Sequence, residues 1–182
     1  MTKNIWVISD THFNHANILN FEDKVGKKVR DQFSSVQEMN EIMIQNWNSV
    51  VKPGDKVYHL GDVVFGNDKE AWLAKNMPRL MGSKRLIFGN HDEPSHFVGK
   101  GQFQKTSLWR IFRDFNILLT HVPVHETTVM EGRGGHDRPM LNVHGHIHQN
   151  QSPSKFHHCV CVEHVNYTPV NIEDLAAISR RL

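Results

Sequence analysis

The chain is poor in several features at once, and each shortage removes a class of protein. It has only 2 cysteines, Cys159 and Cys161. They sit one residue apart, on one face of an extended segment, where a bridge would be strained and would close almost no loop. A disulfide-stapled secreted scaffold is thereby excluded, and a reducing, cytoplasmic setting is expected. Long apolar runs are also missing, since nothing approaches the roughly 20 residues of a membrane span. The first apolar run, Ile5-Trp6-Val7-Ile8, has four residues where a secretory signal needs about 7 to 15. Neither export nor a membrane partner is expected. Excess charge of one sign is absent too: 21 Lys+Arg against 19 Asp+Glu leave +2 with histidines neutral. No polyanion-binding tail dominates, and a processive grip on long nucleic acid, which needs many phosphate contacts, is not indicated. There is no internal repeat, low-complexity tract or linker, so the 182 residues, 38% of them apolar, are expected to form a single domain over 1–182. What is abundant is histidine, at 14, a residue that gains little from packing.

Hydrophobic patterning gives an alternation of strands and helices. Ile5 to Ser9 reads as a buried strand that stops at Asp10. Ser35-Val36-Gln37-Glu38 reads as a capping box, followed by Val36, Met39, Met43, Trp47 and Val50 on one face of a helix over about 36–51. After the turn Pro53-Gly54-Asp55, Lys56 to Leu60 is a second strand running into Gly61-Asp62. Asp68 is placed to cap a helix through about Met77, and Lys84 to Phe88 is a third strand ending in Gly89-Asn90-His91-Asp92. Pro94 to Ser107 reads as a long connection. Phe115 to Thr120 is a strand reaching His121, and Gly132-Arg133-Gly134-Gly135 a loop or hairpin end. Met140 to Val143 is a strand before His144-Gly145-His146-Ile147-His148, His157 to Val165 a last long strand, and Ile172 to Arg181 a closing helix. The β-helix-β rhythm predicts parallel pairing with right-handed crossovers. Trp6, Trp47, Trp72 and Trp109 are all expected in the core rather than as stacking platforms.

Strand ends far apart in sequence each deliver Asp, Asn or His where the apolar run stops: Asp10 and His12, Asp62, Asn90 and His91, His121, His146 and His148. The carboxyl ends of strands in an open α/β sheet converge on one crevice, so these side chains are candidates to meet. Carboxylates, an amide oxygen and several imidazoles, without cysteine, suit borderline first-row cations such as Mn, Fe, Zn or Ni rather than Ca or Mg. The set is too large for one tetrahedral zinc and about right for two cations sharing a carboxylate. Asp10, Asp62 or Asn90 alone also reads as a turn or cap residue, whereas the strand-end histidines His121, His146 and His148 read more readily as ligands. His144 reads as a buried structural histidine and His59 as a support for Asp62.

Taken together, Asp10-x-His12, Gly61-Asp62, Gly89-Asn90-His91-Asp92, His121 and Gly145-His146-x-His148 resemble the five motifs of the calcineurin-like metallophosphoesterases, in order, over roughly residues 5–150. The stretch Asp10 to Ile18 is similar to a small bacterial and phage branch of that family. One departure is Thr120, where the family usually has glycine before the fourth-motif histidine.

The resemblance implies a four-layer αββα fold with two stacked mixed sheets flanked by helices. It implies that Asp10, His12 and His148 hold one metal, that Asp62 bridges, and that Asn90, His121 and His146 hold the second. His91 would touch the phosphate and stabilise or protonate the departing oxygen. The activity implied is hydrolysis of a phosphate ester, expected to be a diester, by in-line attack of a metal-bridging hydroxide with no covalent intermediate. Two divalent ions are expected, Mn first, with Fe, Zn or Ni as alternatives. Nucleotides and short nucleic acids are among the candidate substrates. His15, Asn17, Arg30 and His125 are candidate substrate contacts. The alternatives are a non-catalytic interaction scaffold of the same fold, or a phosphomonoesterase.

Overall fold

Short runs, most of them β-branched and apolar, form the strands, and a computed structural model describes residues 3–130 and 138–182 of the chain. Two mixed sheets result. The first has five strands in the order β4-β3-β2-β1-β9. Of these, β1 (Ile5–Ile8), β2 (Lys56–His59), β3 (Ser83–Ile87) and β4 (Lys105–Ser107) are parallel, and β9 (Val170–Asn171) is antiparallel to β1. The second has four strands in the order β5-β6-β7-β8. Here β6 (Ile117–Thr120), β7 (Leu141–His144) and β8 (His157–Cys159) are parallel, and β5 (Trp109–Phe112) is antiparallel to β6. The parallel pairing expected from the β-helix-β rhythm is present, and so is the α/β class with two mixed sheets.

Strand periodicity sends alternate residues to opposite faces. In the first sheet Ile8, Val57 and Leu86 face helices α1 (Val36–Val50) and α2 (Lys69–Asn76), against Met39, Met43, Trp47, Trp72 and Leu73. Their neighbours Val7, Tyr58 and Ile87 face the second sheet, packing with Leu119, Leu141 and Val143 and with Leu175 of α3 (Ile172–Ser179). On the outer side of the second sheet, Leu118 and Met140 are covered by Val129 beside a short 3-10 turn.

α1 starts where the capping box predicts. The Ser35 hydroxyl accepts from the Glu38 N–H at 3.1 Å. The box is only half made, however, because the Glu38 carboxylate accepts from Ser34, at its N–H and hydroxyl, rather than from Ser35. Asp68 does precede α2, but its carboxylate caps nothing and accepts from the Asn14 amide instead.

Several expectations need correction. The long connection after Pro94 contains a strand, β4, and a further strand, β5, follows Leu108. The last long strand stops at Cys159 and is followed, after the Cys161 bridge, by turns through 167. The reason is a crossing of sheets: Ser9 donates to Val160 O and Val162 donates to Ser9 O, so the chain leaves β8 to bridge the end of β1. Trp47 and Trp72 are buried, but Trp109 is 60% exposed. The glycine-rich segment 132–135 lies outside the described residues.

Trp47 anchors α1: it is buried, and its indole N–H donates to Met81 O at 2.9 Å. Trp47→Ala is expected to lower unfolding free energy by about 3–5 kcal/mol in urea titration, as a buried aromatic truncation does.

Candidate metal centre

The β1, β2, β3, β6 and β7 ends meet where the two sheets join, and the side chains they deliver form two groups around one carboxylate oxygen. In the first group, His12 Nε2 lies 3.8 Å from Asp10 Oδ1 and His148 Nε2 lies 3.9 Å from the same oxygen. In the second, Asn90 Oδ1 is 2.9 Å from both His121 Nε2 and His146 Nδ1. Asp62 Oδ2 stands between them, 3.5 Å from His12 Nε2 and 3.6 Å from His121 Nε2. Asp10, His12 and His148, and separately Asp10, Asp62 and His121, offer ligand atoms close enough to share an ion. Asp10, His12, Asp62 and His121 are buried and form the floor, whereas Asn90, His91 and His146 are exposed and form the rim.

The polar accounting of this floor is incomplete in a particular direction. Asp10 Oδ2 accepts from the Ser9 hydroxyl, the His146 N–H and the Cys161 thiol. Asp10 Oδ1 and both ring nitrogens of His12 are buried with no hydrogen-bond partner among the described residues. Burial raises the Asp10 pKa, and burial followed by the Arg30 charge lowers that of His12. An unpaired buried carboxylate oxygen beside an imidazole held neutral by burial is costly by itself. The donor set of carboxylates, amide oxygen and imidazoles fits a pair of borderline divalent cations.

Backbone strain gathers at the same residues. Asp10, His12, Asp62, His146 and His148 all have φ between 44 and 71°, a left-handed conformation that costs a non-glycine residue about 1–2 kcal/mol. Two glycines admit the close approach this requires. A Cβ on Gly89 would stand 2.6 Å from the Asp62 nitrogen, and one on Gly145 would stand 2.8 Å from Ser9 Cβ.

Supporting residues hold the ends in place, and some were not read from sequence. Asp92 accepts from the Asp62, Val63 and Gly89 N–H groups, tying two turns together. His59 is the expected support: its Nδ1 accepts from the Gly61 N–H and its Nε2 pairs with the Thr11 hydroxyl. His144 is the expected structural histidine, bonded to Gly145 O and Ser152. Glu163 was missed. Its carboxylate lies 3.1 Å from His148 Nδ1, which leaves Nε2 aimed at Asp10. Burial raises the Glu163 pKa, but the Arg30 charge and His148 outweigh it and hold it at about 2. Burial lowers the His148 pKa, and Glu163 outweighs it so that the net shift is upward. The available signal was an acid directly after the apolar run Cys159–Val162.

Arg30 is not available to substrate, which corrects the expectation. It is fully buried, donating to Asp10 O at 2.8 Å, Thr11 O at 3.0 Å and Glu163 at 2.7 Å. His125 caps the turn Glu126–Thr128 through its own ring nitrogen. His15 stacks on Phe65 at 4.2 Å and stands 5.8 Å from His12, and Asn17 is exposed on the adjoining 3-10 turn Ala16–Asn20. His91 donates its N–H to Asp62 Oδ1 at 3.0 Å, and its ring lies 5.9 Å from that of His12.

This convergence of motif residues on strand ends defines a metal-centre phosphoesterase architecture. A calcineurin-like phosphoesterase profile matches residues 3–167, and the chain belongs to that family. It is 32% identical to an uncharacterized protein of Methanocaldococcus jannaschii, over 94% of this chain and 88% of that one. It is 25% identical to the gene 66 protein of Mycobacterium phage L5, over 86% of this chain and 83% of the other. A crystal structure of an Aquifex aeolicus protein of unknown function superposes with a TM-score of 0.73 at 27% identity, covering 97% of this chain and 100% of that one. Among the described residues no helix is long and apolar enough to cross a membrane.

Two outcomes test the supporting residues. Arg30→Met leaves Glu163 buried without its cation and is expected to cost about 3–5 kcal/mol in urea unfolding, whereas a substrate contact would leave stability unchanged. His59 is fully buried, and burial lowers its pKa from 6.5 to about 3. Between those pH values the unfolded chain takes up a proton at this position that the native chain does not. Its contribution is therefore complete above pH 6.5 and lost as pH falls toward 3, at up to about 1.4 kcal/mol per unit. Denaturation at pH 5 and pH 7 should show a smaller pH difference for His59→Asn than for the parent.

Proposed function

We propose that the protein is a phosphodiesterase that uses two divalent cations. Asp10, His12 and His148 would hold one, Asn90, His121 and His146 the other, and Asp62 would bridge them. The observation that carries this is the position of Asp62 Oδ2, within 3.6 Å of an imidazole nitrogen from each group. Mn is the first candidate, on the mixed O/N donors. Bound there, such cations supply Lewis acidity toward phosphate oxygens and a hydroxide at neutral pH.

The chain's own residues then have separable tasks. Asp10, whose Oδ2 is fully hydrogen-bonded to Ser9, His146 and Cys161, keeps Oδ1 for a cation. Glu163 holds the proton on His148 Nδ1 and leaves Nε2 as a lone-pair donor. His91, on the exposed rim, protonates the departing ester oxygen. His15, 5.8 Å from His12, and the exposed Asn17 two residues on would contact the substrate. A diester rather than a monoester is favoured by two clefts bordering the centre, one of about 660 Å³ reaching Asn90 and His121 and one of about 1020 Å³ reaching His146 and His148. Each has room for one ester substituent. The free, buried thiols of Cys159 and Cys161, one of them bonded to Asp10, suit a reducing cytoplasm.

Mn-loaded protein should hydrolyse bis-p-nitrophenyl phosphate and bind two ions per chain by elemental analysis. Asp62→Ala should fall to one ion or none and lose activity by at least about 10³-fold. His91→Gln should retain both ions and lose about 10²–10⁴ in kcat. Full activity in Asp62→Ala, or two tightly bound ions with no hydrolysis of any ester, would overturn the proposal, the latter in favour of the scaffold alternative.

A further inference from the structure

The cleft on the Asn90–His121 side has a wall that core packing does not explain. Leu108, Trp109 and Val122 are 65%, 60% and 46% exposed, and the cleft they line with Phe88 continues to Asn90 and His121. Contiguous exposed apolar surface of this kind marks a binding face rather than ordinary surface. Trp109 also sits on β5, an edge strand that among the described residues pairs only with β6, where an exposed apolar side chain invites aggregation unless it has a use.

Register fixes where the indole stands. Trp109 pairs with Thr120, the residue before His121, and Ile111 pairs with Leu118. Directly opposed residues share a face, so Trp109 lies on the outer face of the second sheet, at the end of the strand that delivers a centre residue. Phe112, on the same strand, is occupied by Tyr58 and Phe115, whereas among the described residues no ring lies against Trp109. The cleft volume, about 660 Å³, falls in the range of small-molecule sites. Arg113 also lines it.

Resting on the two-cation reading above, we infer that this cleft seats one aromatic substituent of the phosphoester substrate, stacked on Trp109 while the phosphoryl group occupies the centre. A flat, open indole face beside apolar side chains favours a ring over an alkyl chain or a polar group, because stacking uses the whole face and needs no particular edge hydrogen bonds. Continuity of the cleft with Asn90 and His121 is what commits it to a substrate rather than to a protein partner.

Phenylphosphonate and methylphosphonate share the phosphoryl end and differ only in the ring, and neither is hydrolysed. Calorimetric titration of Mn-loaded protein should give a Kd at least about 10-fold lower for phenylphosphonate. The preference should fall to about 3-fold or less in Trp109→Ala and persist in Trp109→Phe, which keeps a ring. Trp109 is exposed, so these variants are expected to fold, which circular dichroism checks. Equal affinities in the parent, or a preference unchanged in Trp109→Ala, would overturn the inference while leaving the metal centre standing. Failure of both phosphonates to bind protein that holds two ions per chain would overturn the inference alone, whereas fewer than two bound ions would remove the two-cation reading and the inference with it. Concentration-dependent dimerisation abolished by Trp109→Ala, without ring discrimination, would assign the face to a second copy of the chain and also overturn it.

Discussion

The structure depends on leaving one carboxylate oxygen free. Asp62 Oδ1 accepts the His91 N–H at 3.0 Å, its own N–H is taken by Asp92 at 2.8 Å, and Oδ2 is left between His12 and His121. That division requires two strand-end turns to touch with no side chain between them, which is why glycine stands at 61 and 89. A Cβ on Gly61 would stand 2.6 Å from Gly89 Cα and 2.8 Å from His121 Nδ1. Asp92 then joins the turns through its buried carboxylate, which accepts from both, so the position of Asp62 is set by backbone contact and one fixed side chain.

The floor of the centre is expensive. It combines left-handed backbone at several non-glycine residues, unpaired buried polar atoms and a buried Arg30–Glu163 ion pair. Each would be destabilising in isolation. They are placed where two extensive apolar clusters, one between sheet and helices and one between the sheets, hold the strands from both sides. Arg30 shows how closely this support is coupled to the site: the guanidinium that neutralises Glu163 also takes the carbonyl oxygens of Asp10 and Thr11. It thereby fixes the β1 end, while Glu163 orients His148.

The strand ends were legible because five apolar runs stop abruptly at Asp, Asn or His, a coincidence that turns and caps explain singly but not together. What the pattern hides is anything set by tertiary packing. Arg30 sits in a lysine-containing stretch and reads as a substrate contact, yet it is fully buried, and its partner Glu163, 133 residues away, gives no local signal. The stretch from His157 alternates like a strand to 165, but the sheet crossing at Ser9 and Cys161 takes its backbone bonds elsewhere. Trp109 follows apolar patterning that suggests core, and its exposure comes from lying on an edge strand, a property of strand order that local sequence does not carry.

Thr120 brings these levels together. The family pattern has glycine at this place, and a side chain there raises the question of whether His121 is displaced. Pairing settles where the side chain goes: opposite Trp109, on the outer face, away from Leu60 O, which pairs with His121 Nδ1 at 2.7 Å. The Thr120 hydroxyl donates to Val122 O and accepts from the Asn142 amide, whose oxygen in turn takes the Val124 N–H. The hydroxyl therefore stiffens the loop after β6 instead of crowding the centre. The close approach that demands glycine occurs at 61, 89 and 145, where the backbone faces a carboxylate, a neighbouring turn or Ser9, and at 120 the approach is on the other side of the strand.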